Sequence, residues 1–178
     1  MTNYFFLSLD LPVFKHGMTY HDLPKEIFCF IDENTYLSDE LISFFLSRNI
    51  SMRSQSFYKK PIISRSIIHV DRREFGDYAK INWIFGGGNS KMCWFTTTNN
   101  YDPNNPSSTP CLEFKADEVV EIERAVMRNP VVVQSGIPHC VLDVTEERWC
   151  VSIELLDIKT RNRLTMEQAK NIFSDILI

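Results

Sequence analysis

Apolar positions along the chain follow two different periods. From Ser38 to Asn49 they recur at helical spacing, as Leu41, Ile42, Phe45 and Leu46, and Ser38 stands where a hydroxyl can cap the first turn. Near the other end, Thr165 and Gln168 have the spacing of a capping box, and Met166, Ala169, Phe173 and Ile176 form an apolar stripe. Between these helices the pattern is that of strands. Short runs rich in β-branched and aromatic residues cover 64–70, 79–85, 92–97, 130–134, 140–144 and 148–156, separated by turn residues. Gly86-Gly87-Gly88-Asn89 suits a hairpin turn that needs positive φ, and 102–108 reads as a surface loop. Residues 116–127 fit neither period. Many short strands with few helices predict a mainly β domain: a sandwich, a barrel or a jelly roll.

Length and composition set limits on this picture. With 178 residues the chain fits one domain, and no repeat, low-complexity tract or linker divides it. No apolar run approaches the ~18–20 residues that span a bilayer, and the first residues lack a signal-peptide pattern. The expected partners therefore include no membrane, and the expected compartment is the cytoplasm. Five cysteines at irregular spacing, without a C-x-x-C, argue for reduced thiols rather than disulfides or structural zinc. The net charge of −4 gives no global attraction to nucleic acid. Basic residues are nonetheless concentrated in one stretch, as Arg48, Arg53, Lys59, Lys60, Arg65, Arg72 and Arg73 against Asp71 alone. That run reads either as a solvated face or as a groove for a phosphate-bearing substrate.

The candidate chemistry begins at His69-Val70-Asp71. At the end of a strand, period-two alternation sends His69 and Asp71 to one face, where an imidazole and a carboxylate can converge on a cation. Taken alone, an H-x-D is a common chance occurrence. A second histidine, His139, follows a buried-type strand and a Gly turn, and Pro138 before it restricts the backbone. Nine residues further on, Arg148 opens a strand in which Arg148, Cys150 and Ser152 share one face and Trp149, Val151 and Ile153 the other. An arginine on a core strand needs an anionic partner.

The order H-x-D, then P-H, then an arginine on the next strand resembles the Fe(II)- and 2-oxoglutarate-dependent oxygenases, in the compact form found in phages and bacteria. The segments Ala79-Lys80-Ile81-Asn82-Trp83 and Lys91-Met92-Cys93-Trp94-Phe95 also resemble that group. The likeness spans roughly Phe57 to Leu155, within a single domain of 1–178 whose core is about 57–156. It implies a double-stranded β-helix, jelly-roll or cupin-like, with a few flanking helices and a metal between its sheets. It further implies that His69, Asp71 and His139 hold Fe(II) as a facial triad, leaving positions for 2-oxoglutarate and O2. Arg148 would take the far carboxylate of the cosubstrate, which is converted to succinate and CO2 as a substrate is hydroxylated or demethylated. Cys150 falls where many members carry serine, so Ser152 or Tyr58 becomes the alternative source of a hydroxyl. Asn82 would meet the cosubstrate or a metal-bound water, or else make a structural cross-strand bond. Tyr58 reads equally as a core tyrosine. Trp83 and Trp94 read as packing, and His16 and His21 as surface residues.

Two other readings compete. One is a cupin-like metal-binding module without oxygenase activity, which would have no use for an inward arginine. The other is a nucleic-acid-binding protein whose H-x-D is incidental. For the oxygenase, the substrate classes left open are a nucleotide or nucleic-acid base, a protein side chain and a small metabolite.

Overall fold

The computed structural model describes residues 2–61, 67–71, 75–98, 111–128 and 130–178. Among these residues the chain forms β1 (Tyr4–Phe6), β2 (Cys29–Phe30), α1 (Glu33–Tyr36), α2 (Asp39–Ser47), β3 (Ile50–Lys59), β4 (Ile68–Val70), β5 (Ala79–Gly86), β6 (Lys91–Thr97), β7 (Leu112–Phe114), β8 (Val119–Val126), β9 (Val131–Gln134), β10 (His139–Leu142), β11 (Arg148–Asp157) and α3 (Met166–Ile172). The strands make two sheets, a six-stranded one in the order β1-β9-β5-β11-β3-β2 and a five-stranded one in the order β7-β4-β10-β6-β8. The pairings are antiparallel. The protein is mainly β with few helices, an arrangement compatible with a β-sandwich.

The two faces of the six-stranded sheet have opposite character, and strand alternation explains it. One face presents Tyr58, Ile81, Trp83, Val132, Trp149, Val151, Ile153 and Leu155, which pack with Leu41 and Phe45 of α2 and with Met166, Ala169 and Phe173 near the C-terminus. Each such fully buried apolar side chain stabilises the fold by roughly 1.5–3 kcal/mol. Both helices begin as their sequences predict. Ser38 Oγ accepts from Leu41 N at 3.1 Å, and Thr165 with Gln168 closes a capping box. The opposite face carries, in register, Arg148 beside Lys59, then Ser152 between Gln55 and Asn82, then Glu154 between Arg53 and Lys80. Gln55, Lys80, Asn82, Arg148, Ser152 and Glu154 are buried there. A buried polar face requires partners, so this side adjoins a polar interior.

The second sheet supplies the other wall. Met92 and Trp94 pack on Val131 and Val133 of β9, and Trp94 Nε1 donates to Gln134 O at 2.9 Å. Cys93, Val70 and Cys140 point the other way, into a separate cluster with Phe95, Leu112, Phe114 and Val119.

The turn between β5 and β6 has Gly86, Gly87 and Gly88 at φ of +69°, +80° and +58°, the conformations glycine adopts without a Cβ penalty. A Cβ on Gly86 would strike the Glu147 carbonyl.

Three features differ from the sequence reading. Strand β3, ten residues long, carries no clear period and was not predicted. Residues 119–126 of the ambiguous segment are strand. Of the run predicted over 64–70, Ile68–Val70 is strand, whereas 64–66 and the loop 102–108 lie outside the described residues. Among the described residues, no helix is long and apolar enough to cross a membrane.

Candidate metal centre

His69 on β4 and His139 at the start of β10 are direct partners across the second sheet, so their side chains leave it on the same face. Trp94, opposite His139 on β6, marks that face as the one turned toward the first sheet. The two imidazole centroids lie 4.7 Å apart. Asp71, just beyond β4, turns its Oδ1 toward both rings, 3.4 Å from His69 Nε2 and 3.4 Å from His139 Nε2. One ligand atom from each residue falls within 4.8 Å of the others. The three residues named from spacing therefore converge.

The rings are oriented by the backbone. His69 Nδ1 lies 3.1 Å from Ile67 O, and His139 Nδ1 lies 2.8 Å from Ile137 O. A carbonyl oxygen can only accept, so each Nδ1 carries the hydrogen and each Nε2 is left to face Asp71. Fixing a ring through its remote nitrogen is how metal-binding histidines are commonly held. Ligand distances of ~2.0–2.2 Å with cis ligands near right angles put donor atoms about 3 Å apart, so a small contraction would close this set on an ion.

Lys80, on β5 of the facing sheet, completes the group. Its Nζ lies 2.7 Å from Asp71 Oδ2 and 3.0 Å from Gln55 Oε1, and its side chain is 5% exposed. Asp71 thus divides its two oxygens, Oδ2 to the lysine and Oδ1 to the imidazoles. Burial works to raise the Asp71 pKa, but Lys80, His139 and His69 together hold it well below the usual carboxylate range. For His69, burial pushes the pKa down, and the bonds to Asp71 and Ile67 outweigh that and leave it raised. The sequence reading missed Lys80. The signal was present, because Lys80 and Asn82 alternate with Ala79, Ile81 and Trp83 in the way Arg148 and Ser152 alternate with Trp149 and Val151.

Arg148, Asn82 and Ser152 lie on the polar face that looks toward this group. Burial raises the Cys150 pKa, against the pull of Arg148 and Lys80. The guanidinium and the candidate metal-binding group therefore lie between the same two sheets. Lys59 sits directly across from Arg148, and its pKa is lowered first by burial and then by the Arg148 charge. Among the described residues, Arg148 Nε and Asn82 Oδ1 are buried without a hydrogen-bond partner. Two other buried atoms share that condition, Ser54 Oγ and Trp149 Nε1, but both belong to the helix-covered face.

Tyr58 is not part of the site. It pairs with Trp149, lies on the apolar face, packs on that indole at 5.0 Å between ring centroids, and donates to Glu147. An even residue number in β3 puts it on the opposite side from Lys59, Phe57 and Gln55. Ser152 remains on the site's face as the alternative hydroxyl, with Cys150 one step nearer Arg148. His16 and His21 are exposed.

The basic run does not form one surface among the described residues. Arg48 is tied to Asp175, Lys59 faces inward, and Arg53 lies over the ring of Phe30. Arg65, Arg72 and Arg73 lie outside the described residues.

Neither a protein-family model nor a curated protein matches the chain.

Proposed function

We propose that the protein is an Fe(II)- and 2-oxoglutarate-dependent oxygenase built on a double-stranded β-helix. The observation that carries this reading is the meeting of His69, Asp71 and His139 at one point, with a buried arginine nitrogen on the facing sheet that has no hydrogen-bond partner among the described residues. Two imidazoles and one carboxylate suit a six-coordinate Fe(II) with three positions left open. The orphan atoms fit the cosubstrate as well. Arg148 Nε is a donor in need of an acceptor, which a carboxylate provides, and Lys59 beside it adds a second positive charge. Asn82 Oδ1 is an acceptor facing the same interior, where a water could donate to it.

When bound, the iron and its cosubstrate supply the oxidation of a C–H bond by O2. The chain's own residues do the positioning. His69 and His139 present Nε2 because Ile67 and Ile137 hold Nδ1. Asp71 presents one oxygen because Lys80 holds the other, and Lys80 keeps the carboxylate ionised in a buried setting. The apolar wall of Met92, Trp94, Val131 and Val133 limits water on the β9 side.

The test is turnover without a known substrate. Purified protein given Fe(II), 2-oxoglutarate and O2 should release succinate slowly, and release should accelerate with the right member of a panel of nucleotides, peptides and metabolites. Arg148→Ala should raise the 2-oxoglutarate requirement ten- to a hundred-fold, corresponding to loss of a charged hydrogen bond worth ~1.5–3 kcal/mol. Succinate release that is absent in the wild type, or unaffected by His139→Ala, would remove the proposal.

A further inference from the structure

The polar face of the six-stranded sheet continues past the metal centre, and there its character changes. Moving along β11 from Arg148, the row of Glu154 holds Lys80, whose ammonium meets Asp71. The next row on the same face, two residues or about 7 Å further, holds Leu156 opposite Ser51 on one side and Arg163 on the other. Arg53, Leu156, Arg161, Asn162 and Arg163 line a half-open pocket of about 290 Å³ at this place. Arg148 and this pocket therefore lie on opposite sides of the metal-binding row.

The pocket is cationic and its guanidinium groups are held. The Arg163 Cζ lies 3.4 Å from the centroid of Tyr78, a stacked arrangement that fixes its plane. Arg161 Nη1 donates to Ser51 Oγ at 3.0 Å, from a residue at φ +61° in the turn after β11. Arg53 Nη1 lies 3.7 Å from Glu154 Oε2 at the inner edge. The lining residues among the described ones are three arginines, Leu156 and Asn162. The carboxylate of Asp157, in the same turn, is taken up by the backbone N–H groups of Lys159 and Thr160.

An exposed aromatic ring adjoins it. Phe30 on the edge strand pairs with Gln55, so it shares the polar face, and it is 61% exposed. The Arg53 Cζ lies 5.8 Å from its ring centroid. Phe28, also exposed, packs edge-on against Phe30 and touches Phe57. Guanidinium groups beside an open aromatic face are the elements that bind a phosphate and stack a base.

We infer that this pocket binds the phosphate of a nucleotide, free or within a single strand, with Phe30 stacking on the base. Its being the substrate's pocket rests on the oxygenase reading; the binding itself does not. A phosphate held here lies beyond the row of Glu154 and Lys80, and a base stacked on Phe30 of the edge strand lies level with Gln55 and Ser152.

The test uses metal-free full-length protein and a short fluorescein-labelled oligothymidylate, followed by anisotropy across a salt series. Binding should weaken with salt, and Arg161→Gln and Arg163→Gln should each reduce the slope of log affinity against log salt by about 0.7. Phe30→Ala should lower affinity roughly ten- to a hundred-fold and leave that slope unchanged. Arg161→Glu, in a turn, provides a second variant should Arg163→Gln disturb the stacking on Tyr78, and it should abolish binding. Displacement by thymidine monophosphate assigns the pocket to a free nucleotide, and failure to displace assigns it to a strand. Absence of binding at low salt overturns the inference, as does binding indifferent to these variants or tighter binding of a phosphoserine peptide. Loss of this result while iron and 2-oxoglutarate still bind removes the nucleotide pocket alone. The converse removes the oxygenase alone.

Discussion

Lys80 and Asp71 form a buried ion pair across the two sheets, with Nζ 2.7 Å from Oδ2, while Oδ1 of the same carboxylate stands 3.4 Å from each of two imidazoles. The lysine is the aspartate's counter-ion in the metal-free protein, and it selects which oxygen faces the histidines. Replacing it removes the nearest counter-charge of a carboxylate whose side chain is 16% exposed and which keeps His69 and His139 beside it. The cost thus falls below the ~3–5 kcal/mol of breaking a fully buried pair. Lys80→Met should therefore lower the melting temperature of the metal-free protein markedly. A saturating divalent cation should restore more stability to the variant than it adds to the wild type, because the ion then becomes the carboxylate's partner. Scanning calorimetry with and without Mn(II) measures both, and equal metal-induced shifts would show that the lysine does not act through Asp71.

Gly87 controls the far end of the interior. A Cβ there would come within 2.9 Å of Arg148 Cδ and Cγ, at a backbone φ of +80°. Gly87→Ala should destabilise the protein by about 1 kcal/mol or more through backbone strain. Displacing the Arg148 side chain should also weaken 2-oxoglutarate binding severalfold. Denaturant unfolding and a cosubstrate titration separate the two effects.

Tyr58 provides the complementary control. Its hydroxyl bonds to Glu147 on the helix-covered side of the sheet, away from Arg148 and Ser152. Tyr58→Phe should leave 2-oxoglutarate affinity unchanged, whereas Ser152→Ala should reduce it. A cosubstrate titration of both variants decides which hydroxyl serves the site.

The acid limb of stability should depend on the C-terminal ion pair. Arg48 binds both oxygens of Asp175, at 2.9 and 2.7 Å, and lies 4.6 Å from the centroid of Phe44. The Arg48 hydrogen bond depresses the Asp175 pKa below its ordinary 3.8. A depressed folded pKa contributes stability that is present above the unfolded value and is lost as pH falls through the folded one. Asp175→Asn should thus reduce stability at neutral pH and flatten its decline below pH 3.8, as followed by thermal melts against pH.

Much of this was legible from spacing. His69 and Asp71 are two apart at a strand end, Pro138 fixes His139, and the alternation of β11 separates Arg148 from Trp149. The helix caps at Ser38 and Thr165 were equally plain, because capping depends on local chemistry alone. Strand β3 was not legible. On the helix-covered face it carries the small polar residues Ser54 and Ser56 between Met52 and Tyr58, and on the polar face Arg53, Gln55 and Lys59. The serines interrupt the apolar series of Ile50, Met52 and Tyr58, so the pattern of a half-buried strand is lost. The arginine pocket was hidden for a different reason. Arg53 comes from β3, and Arg161 and Arg163 from the turn beyond β11, so only the pairing of those segments brings them together.

The measurement closest to the central claim is an anaerobic titration of the protein with Fe(II) and 2-oxoglutarate, read by visible absorption. A metal-to-ligand charge-transfer band should appear in the wild type, vanish in His69→Ala and His139→Ala, and require far more 2-oxoglutarate in Arg148→Ala. A wild-type spectrum that stays featureless at saturating iron and cosubstrate, or a band that survives loss of either histidine, would contradict the account.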